Sequence, residues 1–313
     1  MQSFADIISA SKEATILITG CDMYDGYMIC REMLKEKGKH FKRVCAGFCH
    51  ENSLVHMLKK EGADIHKLSL DDTDGIVKVY RNADIVIVVP PINEHRWGES
   101  SVGYVFAAKA ADVKGLVLCS KINAKEMKHL PALEPLHKME VAYEQVKDHM
   151  KAASLVRCNV HIDVLWLFRH QIAKERKLCL SADAETKFAP LTAMDGAHGL
   201  LNMLLHSKHK PGVYEITGPE KLTFKDVAHE VGKAVGKDVE YKEVSHQQVM
   251  EYLEHMHEVG KNEIEFICDM LKAVSKKMMD KKTDDLEKLL DKEPMSVKHF
   301  LKKNANDFKP RDD

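Results

Sequence analysis

The 313-residue chain has almost no surplus of charge: 47 Lys and Arg stand against 48 Asp and Glu. No global field therefore draws it to nucleic acid or to an anionic membrane, and neither is expected as a partner. It also lacks any CxxC pair among its eight cysteines, which argues against a zinc site or a disulfide framework and leaves reduced, mostly buried thiols as the expectation. Residues 1–14 lack a sustained apolar run and carry Asp6, Lys12 and Glu13. Neither a signal peptide nor a membrane span is read there, so the expected compartment is the cytoplasm. There is no internal repeat and no Pro-, Gly- or Ser-rich linker, so a second region should pack against the first. What the chain does have is 44% hydrophobic content, enough at this length to bury a substantial core.

The apolar runs fall into an alternating pattern. A β-rich run at 15–19 ends at Gly20 and is followed by a helical pattern through Met28, Ile29, Met33 and Leu34. Strands are then predicted at 43–48, 64–67, 84–89, 115–119 and 155–160, separated by helices at 53–61, 73–80, 97–112 and 136–152. Pro90-Pro91 ends the fourth strand, because proline cannot donate to a ladder and restricts its predecessor. Later strands at 213–216 and 239–244 flank a helix at 224–235 closed by Gly236, and the final third reads as helical. Strands apolar enough to be covered on both faces imply an α/β fold with a doubly wound parallel sheet over 13–160. A smaller, mostly helical region over 161–313 packs on it.

The segment Gly20-Cys21-Asp22-Met23-Tyr24-Asp25-Gly26 lies between the first strand and first helix, where unpaired helix amides and the helix dipole can receive a pyrophosphate. It resembles the GxxGxxG loop of extended and atypical short-chain dehydrogenases, with Met23 where the middle glycine would be. Further stretches add to this: Gly62-Ala63-Asp64 before Leu70-Asp71-Asp72, Val88-Val89-Pro90-Pro91, Leu136-His137-Lys138-Met139-Glu140-Val141, Gly212 through Pro219 with Leu222-Thr223-Phe224, and Asp284-Asp285-Leu286-Glu287 with Pro294 through Phe300. Together they cover about residues 14–308 and resemble the NmrA-like family. The resemblance implies a Rossmann-type fold and an NAD(P) crevice at the carboxyl ends of the strands, with Gly20, Met23, Gly26, Cys49, His50, Pro90 and Pro91 at the cofactor and Lys138 as the family's lysine.

Several residues depart from that pattern. Met23 puts a long side chain where backbone should approach phosphate. Asp22 and Asp25 bring carboxylates whose repulsion of a pyrophosphate ~4 Å away is about 1 kcal/mol in water and more when desolvated. The same residues predict a self-capped helix, with Asp22 as cap and Asp25 three positions on. Cys49 stands where NADPH-preferring members carry an arginine, His50 is largely neutral at pH 7, and Glu51 reads as a first-turn helix acid. Glu134 occupies the place of the tyrosine four residues before the lysine, and Tyr143 does not restore that spacing. Some NmrA-like reductases act without the tyrosine, so reduction stays open.

The remaining clusters read as ordinary structure. His246, His255 and His257 are spaced too unevenly to hold a metal, so none is expected. Cys21, Cys45, Cys49 and Cys119 follow or end adjacent strands and read as buried thiols, with redox sensing the minority alternative. The lysine-rich stretch 276–282 reads as a solvated helix end. Three function classes follow. The first is a noncatalytic regulatory or protein-interaction module with weak or lost NAD(P) binding. The others are an NAD(P)H-dependent reductase of a small carbonyl or quinone, and a structural self-associating protein. The expected partner is another protein or a second copy.

Overall fold

The computed structural model describes residues 2–11 and 14–310. Met1, Lys12 and Glu13 of the segment read for a leader, and residues 311–313 of the second region, lie outside the described residues. The chain runs α1 (Phe4–Ala10), β1 (Thr15–Ile18), α2 (Tyr24–Leu34), β2 (Arg43–Phe48), α3 (Ser53–Lys60), β3 (Asp64–Lys67), α4 (Thr73–Tyr80), β4 (Ile85–Val88), α5 (Trp97–Ala110), β5 (Gly115–Lys121), α6 (Glu134–Val146) and β6 (Ala152–Cys158). It continues with α7 (Arg169–Glu175), β7 (Lys177–Leu180), α8 (Ala193–Leu205), β8 (Val213–Ile216), α9 (Phe224–Val235), β9 (Glu240–Glu243), α10 (His246–Met256), α11 (Lys261–Ser275), α12 (Asp285–Leu290) and α13 (Val297–Lys303).

Seven strands form one parallel sheet in the order β3-β2-β1-β4-β5-β6-β8, and β7 pairs with β9 in a small second sheet. The period of two along each strand decides the layers. Leu17, Val86, Val88, Leu116 and Leu118 turn to the face covered by α5 and α6, where they meet Tyr104, Val105, Met139 and Tyr143. Ile16, Ile18, Ile85, Ile87 and Val117 turn to the opposite face, against Met28 and Met33 of α2, Leu200 and Leu204 of α8, and Leu286 of α12. Apolar demand on both faces explains why the central strands read as unbroken hydrophobic runs.

The second region is joined to the first by hydrogen bonds: β8 extends the main sheet at β6, with Leu155 opposite Val213 and Cys158 opposite Ile216. The sixth strand starts at Ala152 rather than at 155, because α6 stops at Val146 and a short turn at Lys147–His149 ends at Met150. Small Ala152 and Ala153 then sit directly opposite Gly115 and Leu116. Four elements have no counterpart in the sequence reading: α1, α7, β7 and α8. α1 is held by Ser3, whose side chain accepts from Asp6 N while Asp6 answers to the Ser3 amide.

Candidate functional site

Strand order reverses between β1 and β4, the place in an open parallel sheet where loops diverge and leave a crevice. A cleft of about 420 Å³ opens there, running from the β1–α2 loop past the ends of β4, β5 and β6 and roofed by α11.

The turn after β1 keeps the geometry of a phosphate loop. Gly20 has φ +62°, where a side chain would be strained, and a Cβ on Gly26 would lie 2.1 Å from the Gly20 carbonyl oxygen. Thr19 locks the two diverging strands together by donating its hydroxyl to Val89 O at 2.8 Å and accepting from Val89 N at 2.9 Å.

The expected self-capping is corrected by the structure. The residue at the cap is Met23, and no side chain caps α2. Asp22 lies one position too early and turns away from the helix, and Asp25 turns across the cleft. The Asp22 carboxylate, 4% exposed, accepts from His50 N at 2.9 Å, from Cys49 N at 3.3 Å and from Asn93 Nδ2 at 2.9 Å. Asn52 adds a bond to the Asp22 carbonyl at 2.8 Å. One acid thus ties together the loops after β1, β2 and β4, while its Oδ1 is buried without a hydrogen-bond partner among the described residues.

The loops on the β2 side of the switch point are linked further out as well. The His50 ring lies 3.2 Å from Glu94, whose carbonyl accepts from Asn262 at the start of α11 at 2.7 Å. The Cys49 sulfur lies 3.2 Å from the Tyr104 hydroxyl, and burial pushes its thiol up to about 12. Glu51 is not in the first turn of α3. It precedes the cap Asn52 and pairs instead with His56 at 2.9 Å.

Toward β5 and β6 the cleft stays open and mostly apolar; its lining holds the Arg169–Glu258 ion pair and a charged cluster at the strand ends. His161 Nδ1 lies 2.9 Å from Asp25 Oδ1, and Lys121 Nζ lies 3.1 Å from Cys158 Sγ. Burial opposes the charge on His161, but Asp25 outweighs it and raises the imidazole to about 10. Burial would likewise raise the Asp25 carboxyl, yet His161 holds it well below the usual carboxylate range. For Cys158 burial acts upward while Lys121 and His161 act downward, leaving the thiol at about 7. Tyr24 completes this end, its hydroxyl 3.4 Å from Asp163 and its ring edge-on to Trp166 at 5.6 Å.

Of the residues expected at the site, Met23 and Pro90 line this cleft, while Gly20 and Gly26 shape its entry turn. Cys49 and His50 lie outside the lining with their amides bonded to Asp22, and Pro91 is buried. Lys138 is elsewhere: it lies on the outer face of α6, 58% exposed and 3.1 Å from Glu134. Leu136 is the α6 residue that reaches the cleft. Two residues on a helix are about 200° apart, so a helix that turns Leu136 inward turns Lys138 outward. Tyr143 is buried in the core. Lys121, Cys158 and His161 escaped the sequence reading, although the rule that ligands gather at carboxyl ends of strands points to the last residues of β5 and β6.

A doubly wound parallel sheet, a glycine turn at its first switch point and a cleft at its carboxyl edge define a Rossmann-type protein built on a dinucleotide-binding plan. The chain belongs to the NmrA-like family, whose model matches residues 12–301. The uncharacterized oxidoreductase YesF of Bacillus subtilis is 27% identical over 128 residues, a match spanning 40% of this chain and 43% of that protein. Among solved structures, the Citrobacter sp. triphenylmethane reductase complexed with NADP(H) superposes with a TM-score of 0.76 at 16% identity, covering 93% of this chain and 99% of that one. NmrA, a negative transcriptional regulator in complex with NADP, gives 0.72 at 12% identity, covering 95% and 96%. At these identities the likeness to the two structures is one of fold.

Proposed function

We propose that this chain is a noncatalytic NmrA-like protein, a regulatory or protein-interaction module with weak or lost NAD(P) binding. The observation that carries the reading is the position of Asp22. A dinucleotide laid across the switch point would need its adenosine and pyrophosphate where this carboxylate already holds the Cys49 and His50 amides and Asn93. Displacing it would strand a buried acid, and leaving it would set a negative charge against the phosphates. Met23 lines the neighbouring cleft, and Glu263 adds an acid to that lining from α11. The proton-donor position supports the same reading, since Glu134 and Lys138 pair with each other at the surface.

A reductase reading has one observation in its favour: the α2 terminus is uncapped, and its Gly20–Gly26 turn is intact. Calorimetric titration with NADH and NADPH, together with an NADPH-consumption assay over a panel of quinones and aldehydes, separates the two. The noncatalytic reading expects no micromolar binding and no turnover; micromolar binding with consumption of NADPH would establish the reductase. A self-association reading draws on Phe106 of α5 and Val141 of α6, exposed on two helices that pack together. Sedimentation at rising concentration tests it: assembly lost in a Phe106→Lys, Val141→Lys variant supports it, and a monomer throughout rules it out.

A further inference from the structure

The open end of the cleft holds groups that the noncatalytic reading leaves without a task. Cys158 ends β6 and lines the cleft, and Lys121 ends β5 directly opposite it in the sheet register. The ammonium donates to the sulfur at 3.1 Å. On the other side the thiol can donate to Ser120 O at 3.3 Å, a contact that favours the neutral form and that the cation opposes. His161 stands beside them, held in its protonated form by Asp25 at 2.9 Å. The walls are otherwise mostly apolar, with Val156, Val160, Trp166, Phe266, Met270 and Leu271 facing the space and Asp163, Glu263 and the Arg169–Glu258 ion pair the charged exceptions. A nucleophilic sulfur, a fixed cation and a proton source therefore share a greasy cavity large enough for a small organic molecule.

We propose that Cys158 captures an apolar α,β-unsaturated carbonyl compound in this cleft, with Lys121 holding the sulfur as thiolate and His161 supplying the proton. This rests on the reading that the cleft is not filled by a nicotinamide. The Cys158 thiolate adds to the β-carbon and forms the C–S bond. The alkene pair moves onto the α-carbon and carbonyl oxygen as an enolate. The imidazolium of His161 then gives its proton to the α-carbon and is left neutral beside Asp25. The sum is addition of S–H across C=C, so no oxidant or reductant is consumed. Cys119 lines the same cleft, but burial and the neighbouring Cys158 push its thiol up, which makes it an internal control.

The test treats the full chain at neutral pH with benzylideneacetone, an apolar enone, and reads adducts by intact mass and peptide mapping. One equivalent on Cys158 is expected, lost in Cys158→Ser and kept in Cys119→Ser. Lys121→Met should slow the reaction about tenfold through the smaller thiolate fraction, whereas Lys121→Arg, which keeps the cation, should react within about twofold of wild type. Circular dichroism and thermal melts check that each variant is folded. Adducts on other cysteines alone, or no adduct on the wild type, would overturn the proposal without recourse to any variant. An unchanged rate in folded Lys121→Met would overturn the role of the lysine. The same samples are titrated with NADPH. Tight binding that blocks labelling would refute the reading of weak or lost NAD(P) binding while leaving Cys158 reactive, and a silent titration with no adduct would refute only the capture.

Discussion

At the scale of single residues, the acids of the glycine loop depart from the family's loop pattern, and each does something the sequence could not specify. Asp22 and Asp25 were readable as obstacles to phosphate. Their partners were not, because Cys49 and His50 lie 27 and 28 positions from Asp22, and His161 lies 136 positions from Asp25. The Asp25–His161 pair has a pH signature. His161 is raised to about 10, so its contribution to stability is full below the unfolded histidine value of about 6.5 and is lost as pH rises through 10. Asp25 is lowered, so its contribution is present above about 4 and is lost as pH falls through its depressed folded value. Asp25 is 38% exposed, and water screens part of the attraction. Thermal melts of wild type and Asp25→Asn across pH 5 to 10.5 should therefore show the largest gap near pH 5 to 6, narrowing toward pH 10. A gap independent of pH would mean that the pair does not form. Gly26→Ala should be far more damaging, since its Cβ would meet backbone rather than a movable side chain. A melt within about 1 kcal/mol of wild type, the usual scale of a tolerated change, would contradict that geometry.

Elements were legible where one period ran long enough to be unambiguous. β2, β3, α4, β8 and α9 fall on the residues that alternation and capping predict. The errors lie where tertiary partners decide. α6 was readable as a helix, but which of its faces meets the cleft depends on the helix being docked through Leu136, Met139, Glu140 and Tyr143, and that choice exposes Lys138. Buried Glu140 is part of the docking: it accepts from Ser120 Oγ at 2.6 Å and takes a two-pronged bond from Arg157. α11 was read only as one piece of a helical tail, yet it roofs the cleft. It is pinned by Asp269, which accepts from Ala132 N at 3.0 Å, and by Phe266 set edge-on to Trp97 at 6.0 Å. Asp269→Ala should leave that amide unsatisfied and cost about 1–3 kcal/mol. For a chain of this size that is a fall in melting temperature of about 2–4 °C for each kcal/mol. An unchanged melt would show that water replaces the carboxylate and that α11 is held by its apolar face alone.

For the whole molecule, the sheet, its winding and the place of the cleft were all within reach of the sequence, because both faces of the sheet must be apolar and each strand must be followed by a cover. The state of the cleft was not, because it depends on contacts between loops far apart in the chain. Those contacts distinguish two sides of the crevice: a β2 side where Asp22, Asn93, His50 and Glu94 link the loops, and a side that carries Lys121, Cys158 and His161. Among the described residues no helix is long and apolar enough to cross a membrane, and none of the eight cysteines is in a disulfide. The reading of weak or lost NAD(P) binding is best tested by calorimetric titration of NADPH into the wild type beside an Asp22→Gly, Met23→Gly variant. No micromolar binding by the wild type and a measurable gain in the variant are expected. Micromolar binding by the wild type would contradict the reading that Asp22 closes the site.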